Sequence, residues 1–248
     1  MFSGKVDFVV AGTQKGGTTA LDGYLRQHPS ICMADVKEVH FFDEESNFKG
    51  GQSGYGSYHA HFRASRGKQI SGEVTPSYMY WLGVPRRMWE YNPRLKIVMI
   101  LRNPIERAYS AWNMERLRGV EDRSFWDALR GERERCRESL PLQHKHYSYV
   151  DRGYYAEQIR RIWTFFPEAQ TLILRTEQLR EEPRNTLDVL CRFLDVDRFS
   201  DVQPRIEHTG NYESLIGERE RKYLADVFEY PIRDLERMLG WDCSGWLA

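Results

Sequence analysis

A nearly continuous apolar run from Leu95 to Leu101 constrains the fold of this chain more than any other sequence feature. Lys96 is its only polar member, and strands that a parallel sheet buries on both faces have this composition. Shorter strand-like runs lie at 6–11, 31–33, 69–74 and 169–174 and alternate with helical patterns. This alternation predicts an α/β fold in which helices flank a central parallel sheet of about five strands. The predicted helices cover about 84–91, 104–118, 124–136, 153–166, 183–194 and 214–238.

Length and charge narrow the class of protein. The 248 residues predict a single domain over 1–248, large enough to bury a core without disulfides or metals. The 36 basic and 36 acidic residues cancel, which disfavours binding to nucleic acid or to a membrane surface. Because no apolar stretch approaches the roughly 18 residues of a membrane span, no span is predicted. The sequence leaves the oligomeric state open.

The cysteines and the first apolar run predict a cytoplasmic protein. No two of the four cysteines form a Cys-x-x-Cys pair, so zinc and thioredoxin-like sites are excluded on spacing. So sparse a set favours a reducing compartment over a disulfide framework. The apolar run at 8–11 is too short for the core of a signal peptide. We therefore expect a cytoplasmic location.

A glycine-rich loop between the first strand and the first helical pattern predicts an anion site. The loop reads Gly-Thr-Gln-Lys-Gly-Gly-Thr-Thr over 12–19. A helix N-terminus offers unpaired N–H groups and a partial positive charge, and glycines let the backbone close around a phosphate. Strand, loop and helix together predict a single P-loop-like domain. Its expected anion ligands are Lys15, Gly16, Gly17, Thr18 and Thr19.

The loop differs from that of nucleotide triphosphatases. Their lysine follows the last glycine, whereas Lys15 precedes both glycines. Triphosphatases also hold magnesium with an acidic residue at a strand end, but the run that ends at Leu101 is followed by Arg102. An arginine suits a phosphate and repels a metal ion. The sequence therefore predicts a phosphorylated ligand that is handled without a metal.

Arg102 also opens a second predicted phosphate site. It follows a strand directly, and Pro104 suits the first position of the next helix. Arg107 and Ser110 are three residues apart and therefore share one face of that helix. An arginine and a serine near a helix start are able to hold one more phosphate.

Five sequence blocks resemble, in order, the sulfotransferases that use 3′-phosphoadenosine 5′-phosphosulfate (PAPS). The nearest resemblance is to the heparan-sulfate-type branch and its bacterial relatives, and it covers about 8–194. The blocks are QKGGTT at 14–19, KEVHFF at 37–42, EVTPSY at 73–78, RNPIERAYS at 102–110 and GYY at 153–155.

The resemblance implies how the donor binds. Residues 15–19 would cradle the 5′-phosphosulfate, with Lys15 at the bridging oxygen where negative charge develops. Arg102 and Ser110 would hold the 3′-phosphate, which accounts for two phosphate sites in one chain. Tyr154 either stacks on the adenine or packs at a helix start.

Sulfuryl transfer to a hydroxyl also requires a base. The resemblance assigns this role to Glu38, and His40 is either the alternative base or a residue that orients the site.

Two features depart from the family pattern. Val74 stands where many relatives carry a lysine, and 205–212 lacks their basic, glycine-containing loop.

The function predicted from the sequence is sulfuryl transfer from PAPS, by in-line displacement and without a metal. The expected acceptor is a hydroxyl or amine of a small molecule or glycan, from a carbohydrate or a bacterial natural product. Two alternatives stay open: a P-loop small-molecule kinase that uses ATP and magnesium, and a non-catalytic nucleotide-binding protein of the same fold.

Overall fold

A central parallel sheet forms the framework of the protein. The structure, a computed structural model, describes residues 4–49, 54–63, 69–202 and 215–247. The described strands are β1 (Phe8–Gly12), β2 (Ile31–Met33), β3 (Ile70–Val74), β4 (Lys96–Leu101) and β5 (Thr171–Arg175). Every neighbouring pair is parallel, in the order β2-β3-β1-β4-β5. The predicted α/β fold with about five parallel strands is confirmed.

The helices of the described residues follow the predicted pattern with three differences. Two helices, Gly56–His59 and Thr176–Glu181, are too short to show a helical period in the sequence. The helix predicted at 153–166 is shorter, because a 3-10 turn at Asp151–Gly153 precedes it, and the predicted start at 214 lies outside the described residues. No helix within the described ranges is long and apolar enough to cross a membrane. The helices are α1 (Thr18–Leu25), α2 (Gly56–His59), α3 (Val84–Tyr91), α4 (Pro104–Leu117), α5 (Phe125–Arg137), α6 (Tyr155–Trp163), α7 (Thr176–Glu181), α8 (Pro183–Leu194) and α9 (Glu218–Leu239).

The sheet is apolar on both faces, as its sequence requires. All five residues of β1 are buried, and alternate side chains point to opposite faces. Phe8 and Val10 join a core that also contains Leu21 and Leu25 of α1 and Leu190 of α8. Each of these side chains contributes about 1.5–3 kcal/mol when fully buried. This shared core therefore holds α1 against the sheet.

The carboxyl ends of the central strands meet at one edge of the sheet. Val10 pairs with Val74 of β3, and Gly12 pairs with Met99 of β4 across a shift in register. Parallel α/β sheets bind their ligands at this edge, because the connecting loops and helix N-termini converge there. The loop before α1 and the segment after β3 both start from it.

The chain divides into two compact units. The first consists of Met1–Leu101 and Arg161–Glu207 and contains the whole sheet, and the second consists of Arg102–Arg160 and His208–Ala248. In the second unit the Asn103 side chain accepts a hydrogen bond from the Ile105 amide (2.9 Å) and caps α4. The expectation of one domain over 1–248 stays a prediction.

Candidate active site

The loop between β1 and α1 is a tight turn. The Thr13 amide donates to the Ile100 carbonyl, and the Gly16 amide donates to the Thr13 carbonyl, both at 2.9 Å. A Cβ atom at position 16 would lie 2.5 Å from the Ile100 carbonyl oxygen, so only glycine fits there. Gly17 has a φ of 90° and places no side-chain cap on α1. The first amides of α1 are therefore presented as an anion site would require.

Thr176 supports this loop from the start of α7. Its hydroxyl donates to the Gly16 carbonyl oxygen at 2.6 Å and lies 3.0 Å from the Leu101 carbonyl oxygen. One hydroxyl thus connects the loop to the end of β4. Sequence reasoning did not identify Thr176, because 160 residues separate it from Gly16.

A second loop, 37–43, carries a network of charged side chains. One ring nitrogen of His40, Nε2, lies 3.5 Å from Glu38 Oε2, and the other, Nδ1, lies 2.8 Å from Asp43 Oδ2. Lys37 donates to Glu38 from the other side, and the Ser77 hydroxyl donates to Asp43 Oδ2 at 2.6 Å. The network engages both nitrogens of the imidazole, both oxygens of Glu38 and one oxygen of Asp43.

The network also sets the charges of its members. Hydrogen bonding from His40 is the largest factor that lowers the pKa of Glu38 to about 2. Hydrogen bonds to Asp43 and then to Glu38 raise the pKa of His40 to about 9. At pH 7 Glu38 is therefore a carboxylate and His40 an imidazolium.

Loop 37–43 contains two residues in the left-handed region of backbone space. Glu38 has a φ of 64° and His40 a φ of 53°. Such a conformation costs a residue with a side chain about 1–2 kcal/mol. The Glu38 amide donates to the Val74 carbonyl at 2.8 Å, so the loop is fixed to the end of β3. Strain of this kind is typical of functional sites.

Arg102 lies at the start of the second unit. Its Nη2 is 3.8 Å from Glu106 Oε2, while Glu106 Oε1 is 2.6 Å from Nη2 of Arg221. The Tyr155 hydroxyl donates to the Arg102 carbonyl at 2.8 Å. Glu106 thus lies between the guanidinium groups of Arg102 and Arg221. Because Arg221 belongs to α9, the sequence did not show this arrangement.

Both residues of α4 that the sequence placed at the second phosphate site are buried. Arg107 is completely buried and donates to the Tyr149 carbonyl, so its guanidinium supports the second unit from inside. Ser110 lies on the same helix and is 4% exposed. A phosphate contact from either residue stays a prediction.

Tyr154 follows the 3-10 turn at Asp151–Gly153. Its ring meets Phe228 edge-on at 5.9 Å between centroids, and burial raises the pKa of its phenol. This contact is the helix-start packing that the sequence offered as one of two alternatives. Stacking on adenine stays a prediction.

The expected site residues fall in both units. Residues 15–19, Glu38 and His40 belong to the first unit, at the carboxyl edge of its sheet. Arg102, Ser110 and Tyr154 belong to the second. The segment 205–212, where the family pattern was missing, lies outside the described residues.

A cavity of about 760 Å³ occupies the opposite edge of the sheet, at the amino ends of the strands. Lys5, Asp7, Arg94 and Lys96 are among the residues that line it. It is remote from the glycine loop, whose hydrogen bonds are made at the carboxyl ends of the strands.

The fold and the glycine loop together define a class, the α/β proteins with a P-loop-like architecture. Comparison with protein families makes the class specific. The model of the sulfotransferase domain family matches residues 5–215. The chain therefore belongs to the sulfotransferase family, and the resemblance recognised in the sequence is confirmed.

Two groups of curated relatives act on heparan sulfate according to their names. The human bifunctional heparan sulfate N-deacetylase/N-sulfotransferase 3 is 30% identical over 230 residues, which are 88% of this chain and 26% of that protein. The mouse heparan sulfate glucosamine 3-O-sulfotransferase 5 is 28% identical over 208 residues, 82% of this chain and 56% of that protein. The chain spans between about a fifth and a little over half of the length of such relatives.

A bacterial crystal structure matches the whole chain. The sulfotransferase from Alicyclobacillus acidocaldarius has a TM-score of 0.84 and 28% identity, and the match covers 99% of this chain and 100% of that one. A mouse sulfotransferase solved with PAP has a TM-score of 0.60 at 12% identity and shares the fold alone; the match covers 97% of this chain and 89% of that one.

Proposed function

We propose that this protein transfers a sulfuryl group from PAPS to a hydroxyl or amine of a carbohydrate or bacterial natural product. The observation that carries the proposal is the glycine loop of a sulfotransferase-family chain, with its amides at the start of α1 and no room for a side chain at Gly16. The Glu38–His40 network at the same edge of the sheet supplies groups for proton transfer.

The residues present fit the donor. The cradle at Gly16, which a Cβ would fill, and the uncapped start of α1 suit a 5′-phosphate, so residues 15–19 would hold it. The half-buried Arg102 and the buried Ser110 would hold the 3′-phosphate, and Tyr154 would contact the adenine. When bound, PAPS supplies the sulfuryl group that is transferred.

Glu38 is proposed as the base because of its charge. At pH 7 an imidazolium has no lone pair for a further proton, so His40 cannot accept one until the pH exceeds about 9. Glu38 is ionised and 38% exposed, and it accepts the proton that the acceptor loses. A carboxylate of such low pKa is a weak base at rest. The transfer is therefore late, when the attacking atom is already bonding to sulfur and has become acidic.

Lys15 is proposed as the cation for the leaving group. As the bond between sulfur and the bridging oxygen breaks, negative charge collects on the phosphate. An ammonium group at that oxygen stabilises the transition state more than the ground state. Because Val74 replaces the lysine of many relatives, Lys15 and the positive His40 carry this role in our proposal.

A glycan acceptor is supported by the names of the relatives. Both heparan sulfate groups modify a glucosamine-containing polymer, at nitrogen or at oxygen, as their names state. We propose the same chemical class, a sugar hydroxyl or amine, for this chain. The zero net charge favours a short acceptor over a long acidic polymer.

Two further parts of the prediction are kept as proposals. We propose a cytoplasmic location, supported by the four cysteines, among which the structure forms no disulfide. We also propose that the reaction is independent of metal ions. This is supported by the imidazole of His40, whose nitrogens engage the carboxylates of Glu38 and Asp43.

The test combines binding with transfer. Calorimetry should show that 3′-phosphoadenosine 5′-phosphate (PAP) binds equally well with and without EDTA and more tightly than ATP. Radiolabelled PAPS should then transfer its label to at least one acceptor in a panel of glycans and natural products. Magnesium-dependent phosphoryl transfer from ATP would support the kinase instead, and PAP binding without transfer would support the non-catalytic protein.

A further inference from the structure

Tyr78 lies completely buried under loop 37–43. Its phenol oxygen accepts hydrogen bonds from the amides of Phe41 (2.9 Å) and Phe42 (3.4 Å). These two amides stand between His40 and Asp43 in the chain. The phenol oxygen therefore holds both amides of the stretch that sets the distance between the imidazole and its carboxylate partner. The carbonyls of the same two residues accept from Asn47 (2.9 Å) and Arg87 (2.8 Å).

The phenol lies near a buried acid. Glu73 is completely buried, and its carboxyl group accepts from the hydroxyls of Tyr58 (2.8 Å) and Thr75 (2.6 Å). Burial and then the charge of Glu73 raise the pKa of Tyr78 well above its usual range, so the phenol stays protonated. A protonated phenol still has lone pairs that accept from the two amides.

The segment after β3 thus makes two connections to the loop. Tyr78 accepts from its backbone, and the preceding Ser77 donates to the side chain of Asp43 at 2.6 Å. Left-handed residues such as Glu38 and His40 keep their conformation only where surrounding contacts impose it. Contacts from this segment, from the end of β3 and from the side chains of Asn47 and Arg87 act on the loop, and Tyr78 is the one that accepts from its two phenylalanine amides.

We propose that Tyr78 is a positioning residue, which acts through loop 37–43 to hold His40 between Glu38 and Asp43. The geometry of this proposal stands by itself, while its importance for turnover rests on the proposed function. Tyr78 does not touch the substrate in this proposal. Its hydroxyl determines whether the imidazole keeps both carboxylate partners.

Removal of the hydroxyl has a defined consequence. In Tyr78→Phe the amides of Phe41 and Phe42 lose their acceptor, and buried amides do not tolerate this without rearrangement. The loop shifts, and His40 loses contact with Asp43 and Glu38. The pKa of His40 then falls from about 9 towards the ordinary histidine value of about 6.5. A misplacement of about 1 Å lowers turnover by up to about a hundredfold.

The experiment compares Tyr78→Phe with Tyr91→Phe. Tyr91 is 1% exposed, and its hydroxyl also accepts from a backbone amide, that of Val6 at 2.8 Å, but it makes no hydrogen bond to loop 37–43. The two variants therefore lose the same atom from the same aromatic cluster. The readout is the NMR titration of the His40 imidazole, assigned among the seven histidines by its loss in His40→Gln.

The expected result separates the variants. Both should lose thermal stability, but only Tyr78→Phe should lower the pKa of His40, by one unit or more. Its kcat should fall while KM for PAPS stays constant. An identical His40 titration in the two variants would overturn the proposal. A shifted titration in a protein that transfers no sulfuryl group would leave the positioning role intact and count against the proposed function.

A measurement on the unmodified protein covers the case in which Tyr78→Phe does not fold. Hydrogen exchange should find the Phe41 and Phe42 amides protected, to a degree comparable with β3. Exchange at the rate of an open loop would show that the phenol does not hold them and would overturn the proposal.

Discussion

At the residue scale, the chemistry of the site depends on how Glu38 and His40 divide one proton. The sequence placed both in one block and left open which of them is the base. Their contacts decide the resting charges, because His40 lies between two carboxylates and Glu38 between two cations. A residue type alone does not reveal this, since the partner Asp43 becomes a neighbour only when the loop turns back on itself.

Glu38→Gln should abolish most of the transfer activity but leave the affinity for the donor unchanged. The amide keeps the shape of the side chain but cannot accept a proton at pH 7. Base catalysis is typically worth about a hundred- to ten-thousandfold, so kcat should fall within that range. Single-turnover transfer of radiolabel and calorimetry with PAP measure the two quantities. His40→Ala, the matched variant, should reduce kcat less; an active Glu38→Gln beside a dead His40→Ala would identify the imidazole as the base.

At the element scale, the loop between β1 and α1 was predictable because its parts are consecutive. An apolar strand, glycines and a helical pattern follow one another within about twenty residues, so local propensity determines the unit. Long-range partners were not predictable in this way. Thr176 reaches Gly16 only because β4 and β5 pair in register.

Thr176→Val should weaken donor binding through the loop. Valine keeps the volume of threonine but leaves the Gly16 carbonyl without its donor. One neutral hydrogen bond is worth about 0.5–1.5 kcal/mol, so the affinity for PAP should fall about two- to tenfold in calorimetry. Thr176→Ser retains the hydroxyl and should bind like the unmodified protein. Equal affinities for the valine and serine variants would show that the loop does not depend on this contact.

The start of α4 was also predicted in part. Pro104 marks it in the sequence, and the side-chain cap from Asn103 agrees with the expected boundary. The sequence did not show that Glu106 pairs with Arg102 and Arg221, because α9 is more than a hundred residues away.

Arg102→Ala should affect only ligands that carry the 3′-phosphate. A charge-assisted hydrogen bond is worth about 1.5–3 kcal/mol, which corresponds to roughly a ten- to hundredfold loss of PAP affinity. Adenosine 5′-phosphosulfate, which lacks that phosphate, should bind the variant and the unmodified protein alike in calorimetry. Equal losses of affinity for both ligands would mean that Arg102 contacts a part of the donor other than the 3′-phosphate.

At the scale of the whole molecule, each unit buries a carboxyl group with a raised pKa among its described residues. Burial raises the pKa of Glu73 in the first unit and of Glu132 in the second to about 7, although hydrogen bonds partly oppose the effect. Zero net charge, the only electrostatic quantity available from composition, conceals both. Burial of an acid depends on the assembled core and cannot be inferred from its neighbours in the chain.

The stability of the protein should therefore fall as the pH rises from about 4.5 to 7. In this window folded Glu73 retains a proton that the unfolded chain releases, so deprotonation favours unfolding. A shift from 4.5 to about 7 amounts to on the order of 3 kcal/mol for a complete titration. Glu38 and His40 contribute outside the range from pH 4.5 to 6.5, because Glu38 loses its stabilising charge as the pH falls from 4.5 through 2, and His40 as it rises from 6.5 through 9. Within this range His59 and His144 oppose the fall, because burial lowers their pKa and the unfolded chain protonates them first.

Glu73→Gln isolates the contribution of this one acid. The amide cannot titrate, so the free energy of unfolding in urea, followed by circular dichroism, should fall less steeply with pH than in the unmodified protein. The remaining slope would combine Glu132, which has a similarly raised pKa, with the opposing contributions of His59 and His144. Glu181→Gln, an exposed carboxyl on α7 with 63% of its side chain accessible, controls for the loss of one acid. If Glu73→Gln and Glu181→Gln gave the same slope as the unmodified protein, Glu73 would not be the protonated group that links folding to pH.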